Sequence, residues 1–282
     1  MRAVSRSTHA WLLPVLLLTQ ACIDGEKPYT LRFSPQVREQ PLACGQSYTD
    51  IGTSRSTVEL LDFKLYVRDV TLVRANGERH PLVLEQDGTW QREGLALLDF
   101  EDGTGACDTG SPQVRRELVG TAPGHGDYTA LEFRVGLPPD QNHLDGATAP
   151  APLNAPGMWW SWQGGYKFLK LDVRTRGNET YFFHLGASGC RGGVAEGFTC
   201  TSDNQALVRL EDFDPDESQV VLDVAGLYSG LDVDRVPDGT TDGLAGCMSA
   251  AADPECPGFF QHLGLAVDGT PRQLPDTFFR VR

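Results

Sequence analysis

Short runs in which apolar and polar residues alternate, repeatedly cut off by glycine and proline, leave this chain little choice of fold. The longest is Val58-Glu59-Leu60-Leu61-Asp62-Phe63-Lys64-Leu65-Tyr66-Val67-Arg68-Asp69-Val70-Thr71-Leu72-Val73, which is β-branched and aromatic and has no helical capping signal. Shorter runs follow at 29–34, 81–84 (after an Asn76-Gly77 turn), 128–136, 166–173, 180–185 and 206–210. A period of two puts successive side chains on opposite faces of an extended chain, which suits a sheet and not a helix. The 31 Gly and 18 Pro supply the turns between runs. The predicted fold is all-β: a single antiparallel sandwich or barrel-like domain over 28–282, with long disulfide-pinned loops and a few short helices. Helical character is faint and confined to 114–119 and 225–231, and 28–282 shows no internal repeat.

Residues 1–22 stand apart from that domain. Arg2 and Arg6 precede Trp11-Leu12-Leu13-Pro14-Val15-Leu16-Leu17-Leu18, an apolar core too short to span a bilayer and built like an export signal. It ends at Thr19-Gln20-Ala21-Cys22, where a small residue before cysteine matches lipoprotein processing, although Thr19 stands where leucine is usual. The expectation is a lipidated Cys22, then a linker at 23–27, in a periplasmic or outer-membrane lipoprotein that meets the membrane only through its anchor. Ordinary secretion is the alternative. Setting Cys22 aside leaves six of the seven cysteines, an even number that an oxidising compartment would pair. Proximity in sequence pairs Cys190 with Cys200 and Cys247 with Cys256, leaving Cys44 with Cys107. The tight CxxC spacings of a zinc site are absent.

A formal charge of -14 offers no basic surplus for phosphates and excludes a nucleic-acid partner. The sequence has no serine elbow, phosphate loop or HExxH helix, so hydrolase readings have nothing to stand on. The Gly- and Asp-rich loop Glu101-Asp102-Gly103-Thr104-Gly105-Ala106-Cys107 lacks the alternating ligands of a calcium loop and reads as a solvated turn pinned by a disulfide. Of the histidines, His143 follows a strand in Pro138-Pro139-Asp140-Gln141-Asn142-His143, and His184 closes Tyr181-Phe182-Phe183-His184. Each is either a half-buried structural imidazole or a metal ligand. Three of five Trp crowd into Met158-Trp159-Trp160-Ser161-Trp162. On a strand, Met158, Trp160 and Trp162 would share one face, as core or as a surface on which a sugar or other small ligand stacks.

The sequence resembles the MbnP family, also called metallo-mystery-pair four-Cys proteins. The resemblance rests on seven blocks in order. They are Asp62-Phe63-Lys64-Leu65-Tyr66-Val67, Leu97 through Cys107, Asn142-His143, Thr148-Ala149-Pro150-Ala151-Pro152-Leu153-Asn154, Met158 through Phe168, His184 through Cys190, and Gly246-Cys247-Met248-Ser249. It implies an exported copper-binding protein that works with a di-haem cytochrome c peroxidase-like partner of the MbnH type. That partner oxidises a Trp to kynurenine, which then binds copper together with His. Carried onto this sequence, it implies His143 and His184 as ligands and Trp160 as the kynurenine site, with Trp162 as the alternative. Asn142, Asp145 and Met158 are the expected supporting residues. The other expectation, from the indoles alone, is a lipid-anchored carbohydrate- or small-ligand-binding module.

Overall fold

A computed structural model of the chain describes residues 25–124, 126–161, 163–240, 243–250, 252–266, 268–270 and 277–282. Cys22, with the rest of the expected export signal, and Trp162 lie outside the described residues.

Two sheets stack face to face. In the first, Glu26–Val37 lies between Gln219–Asp223 and Glu117–Pro123, with Phe279–Val281 at one edge and Val83–Leu84 at the other. In the second, the long strand Ser56–Arg74 is flanked by Tyr128–Val135 and Leu169–Arg174. Beyond those lie Ala206–Glu211 on one side, and Tyr181–Leu185 then Gly246–Cys247 on the other. Aromatic pairs bind the sheets together: Phe33 meets Phe133 at 5.7 Å, and Tyr29 meets Tyr128 at 5.9 Å, both edge to face. The all-β reading holds, and all three disulfides pair as proximity suggested. Pairing is antiparallel except where Glu26–Val37 meets Gln219–Asp223 and Tyr181–Leu185 meets Gly246–Cys247; both of those are parallel.

The 114–119 segment is not helical. Its second half enters the strand Glu117–Pro123, where Leu118, Gly120 and Ala122 are buried and their neighbours half-buried, a period of two that a helix could not give. A short helix does form at Val224–Leu227, capped by Asp223, whose Oδ1 accepts the Gly226 N–H at 3.0 Å. A second, Cys256–His262, is tied by Cys256 to Cys247. Among the described residues no helix is long and apolar enough to cross a membrane.

What positions the site is the second face of the long strand. Residues 62–67 are all buried, so the strand is covered on both sides. Phe63 faces the sandwich, meeting Phe278 at 6.4 Å. On the opposite face Tyr66 packs edge-on against Tyr166, and its hydroxyl donates to the Pro152 carbonyl at 3.0 Å. The alternating charges Asp62 and Lys64, which an open sheet would turn to water, therefore lie beneath the loops around 150–168.

They survive there because they pair. The register aligns Asp99, Lys64, Lys170 and His184 directly across four strands, with Asp62 opposite Asp172 in the next row. Lys64 Nζ donates to Asp62 at 2.9 Å and to Glu101, while Lys170 donates to Asp62 and lies 3.3 Å from Asp172. Asp172 accepts from His184 Nε2 at 2.7 Å. Charge thus alternates along Glu101, Lys64, Asp62, Lys170 and Asp172 before reaching the imidazole. Glu101, expected in a solvated turn, is fully buried and also accepts the Ser111 N–H.

Asp99 is the exception in this row. Its Oδ1 has no hydrogen-bond partner, and Lys64 Nζ is 3.6 Å away. Burial, opposed by Lys64 and reinforced by Glu101 and Asp62, pushes its carboxyl up to about 7. A folded-state pKa above the unfolded 3.8 means the folded protein holds this proton more tightly. The contribution to stability is therefore full below about 4 and is lost as pH rises to about 7. Asp99→Asn removes that loss, so its urea midpoint relative to wild type rises steadily from pH 4 to 7 and levels off above. A difference constant over that range would show that Asp99 stays ionised.

Candidate metal centre

The Trp-rich run does not form one strand. Trp159–Ser161 turns back on Gly165–Tyr166 as a small antiparallel ribbon, and the sheet strand begins at Leu169. Ser161 Oγ accepts the Gly164 N–H at 2.9 Å to tighten the turn. Gly165 sits at φ +77°, and a Cβ there would lie 2.7 Å from the Asn142 amide, so both the conformation and the close approach require glycine. The sequence did carry this turn, as Gly164-Gly165, within what reads as continuous alternation.

Trp160 is half-buried on this ribbon, its indole laid on Gly186. A Cβ on Gly186 would come 2.5 Å from indole Cζ3 and 2.6 Å from the Tyr166 carbonyl oxygen. Gly186→Ala is expected to expel the indole and cost about 1–3 kcal/mol, as overpacking does, measured by urea denaturation and by a red-shifted Trp emission. Unchanged emission would show that the indole keeps its seat. The Lys167 ammonium lies 5.9 Å over the Trp160 ring, and burial, with Lys170 beside it, lowers its pKa to about 8.

The His184 ring is 6.2 Å from Trp160, centroid to centroid, and is 5% exposed. Burial lowers its pKa, with Asp172 opposing, while hydrogen bonds and charge from His184 and Lys170 hold the Asp172 carboxyl low against its own burial. Together these describe a neutral imidazole giving its Nε2 proton to an ionised carboxylate. Nδ1 then carries the lone pair, and it is buried with no hydrogen-bond partner. An unpaired buried acceptor costs free energy and marks a position that a bound group can satisfy.

His143 has the opposite polarity. Asn142, 4% exposed, accepts the Tyr166 N–H through Oδ1 at 3.0 Å, which fixes its amide so that Nδ2 donates to His143 Nε2 at 3.2 Å. The lone pair of His143 is therefore on Nε2. The ring stacks on Phe198, centroids 4.1 Å apart, and Nε2 lies 3.6 Å from Cys200 Sγ. Asn142 thus links His143 to the ribbon that carries Trp160.

Met158 is fully buried in the core cluster. Asp145 is exposed, and its Oδ1 accepts the Ala147 N–H at 2.9 Å; the His143 ring is steadied by the Asn142 amide. Trp159 packs against Gly146 and its Nε1 is buried without a partner. Asp172 carries no signal in the sequence, since only cross-strand register brings it to His184. A cavity of about 740 Å³ opens at the other end of the charge row, lined by Asp62, Lys64, Trp90, Asp99, Pro152 and Lys170.

A family profile described as MbnP matches residues 26–249. The solved structure of MbnP from Methylosinus trichosporium superposes with a TM-score of 0.80 at 31% identity, covering 91% of this chain and 98% of that one. No curated protein matches the chain.

Proposed function

The chain belongs to the MbnP family, and from that premise we propose that it is an exported copper-binding protein and not an enzyme. In this reading copper is held by His143 through Nε2, by His184 through Nδ1 and by Trp160 after its oxidation to kynurenine. The observation that carries the reading is the buried, unpartnered Nδ1 of His184 beside a half-buried Trp160. Neutral imidazole suits copper, whereas an intact indole offers it no donor lone pair. Oxidative opening cleaves the indole Cγ–Cδ1 bond, turning Cγ into a ketone and Cδ1 into a formyl group on Nε1. Water then hydrolyses that amide, so Cδ1 leaves as formate and the former Nε1 is left as an arylamine with a lone pair. The four electrons would pass to two equivalents of peroxide, reduced to water, through a di-haem peroxidase-like partner of the MbnH type. Asp172 is the carboxylate that orients His184 and raises its basicity, the role outer carboxylates play behind metal-bound imidazoles. Export, with Cys22 as lipid anchor, belongs to the same proposal.

The carbohydrate-platform reading draws less support from the described indoles, since Trp159 and Trp160 are each half-buried against a glycine, Gly146 and Gly186. Peptide mass spectrometry and metal analysis of protein co-expressed with its haem partner test the proposal. The expected result is kynurenine at Trp160 with copper retained through desalting. An unmodified Trp160 and no retained copper would overturn it.

A further inference from the structure

The Cys190–Cys200 bridge differs from the other two. Cys107, Cys247 and Cys256 have no exposed surface, whereas Cys190 and Cys200 are both only half-buried. They close the small hairpin of Arg191–Gly193 and Gly197–Thr199, whose Phe198 stacks on His143. Both sulfurs and one ring nitrogen of His143 lie within 4.8 Å of one another. In the disulfide neither sulfur is a thiolate, so the three atoms are not a ligand set as they stand.

We propose that reduction of Cys190–Cys200 turns this corner into a second metal site, in which the two thiolates and His143 Nε2 hold one Cu(I). A dithiol reductant supplies two electrons and two protons: the S–S bond breaks, two thiols form, and the reductant leaves as its own disulfide. Binding Cu(I) then releases one proton from each thiol. The geometry needs little adjustment on the imidazole side. Metal–sulfur and metal–nitrogen bonds of ~2.3 and ~2.0 Å, meeting at 110–120°, put sulfur about 3.5–3.7 Å from nitrogen. Cys200 Sγ is already 3.6 Å from His143 Nε2. Breaking the 2.09 Å bond lets Cys190 Sγ move away across a two-stranded hairpin that faces solvent on most of its residues. Soft thiolates select Cu(I) over harder cations, and the Asn142 amide, which now donates to Nε2, would yield its place.

The choice of copper rests on the function proposed above; the ligand set shares His143 Nε2 with it, and one lone pair serves one metal, so the two sites are alternatives and not filled together. The test takes the purified full-length protein made without the haem partner, so that Trp160 is unmodified, opens the half-buried bridge with a phosphine, and confirms two free thiols at Cys190 and Cys200 by alkylation mapping. Cu(I) is then titrated anaerobically against bicinchoninate. Reduced protein is expected to take up one more Cu(I) than oxidised protein. His143→Ala should weaken that uptake by about tenfold or more, since even an outer-shell contact is worth that much. Cys190→Ser/Cys200→Ser should abolish it. Should that double variant fail to fold, carbamidomethylation of the two thiols in folded wild type is the equivalent block. Trp160→Phe should leave the extra Cu(I) intact, which separates this site from the kynurenine site. No added Cu(I) despite two confirmed thiols, or uptake that survives the block, overturns the proposal.

Discussion

Lys64→Met will cost about 3–5 kcal/mol of folding free energy, the loss typical when one member of a buried ion pair is removed and its partner charges stay behind. Lys64 is 5% exposed and lies between Asp62, Asp99 and Glu101. Burial disfavours its charge, but those three carboxylates hold the ammonium above the usual lysine range. Without it, Asp62 retains Lys170, while Glu101 keeps only the Gly103 and Ser111 N–H groups. Against a total stability of roughly 5–15 kcal/mol, that is a large share. Urea denaturation at neutral pH should show the midpoint fall, and lowering the pH should recover part of the loss as the stranded carboxylates take protons. A shift under about 1 kcal/mol, the range of an exposed pair, would mean that water already reaches these groups.

The second large effect falls on the metal. Trp160→Phe, co-expressed with the haem partner, is expected to show no kynurenine mass change in the 158–168 region and to lose its copper, while keeping the wild-type fold because phenylalanine still covers Gly186. Asp172→Asn should act more mildly. It leaves His184 in place but without an ionised acceptor for Nε2–H, so copper affinity should drop by about 10–100-fold with kynurenine formation unchanged. Metal analysis and competition titrations read both. Copper retained in full by Trp160→Phe would remove the indole from the proposed site, and unaltered affinity in Asp172→Asn would mean His184 is not a ligand.

The strands were legible because their period of two is local, and the disulfides because their cysteines are close in sequence or left over. The charge row was not. Asp62 and Lys64 alternate with Phe63 and Leu65 just as they would on a wet sheet face, and nothing near them says that loops around 150–168 close over them. Cross-strand neighbours such as Asp172 and His184 depend on register, which follows from turns and bulges along the whole sheet. The helix expected at 114–119 failed for a related reason. Leu118 and the β-branched Val119 fit a pleated surface once Glu26–Val37 lies alongside.

The first strand of the domain is also the one that must wait longest. Glu26–Val37 takes Gln219–Asp223 as its parallel neighbour, and Lys27 bonds to Asp216, 189 residues further along. Phe279–Val281 then pairs on the far side of Gln219–Asp223. While the chain is being made, Glu26–Val37 keeps one hydrogen-bonding edge open until Gln219–Asp223 appears, and Gln219–Asp223 in turn waits for Phe279–Val281. Such distant pairings make closure slow. Shortening the chain before Phe279 would bare the Gln219–Asp223 edge in the finished fold, an open strand on which a second copy could add.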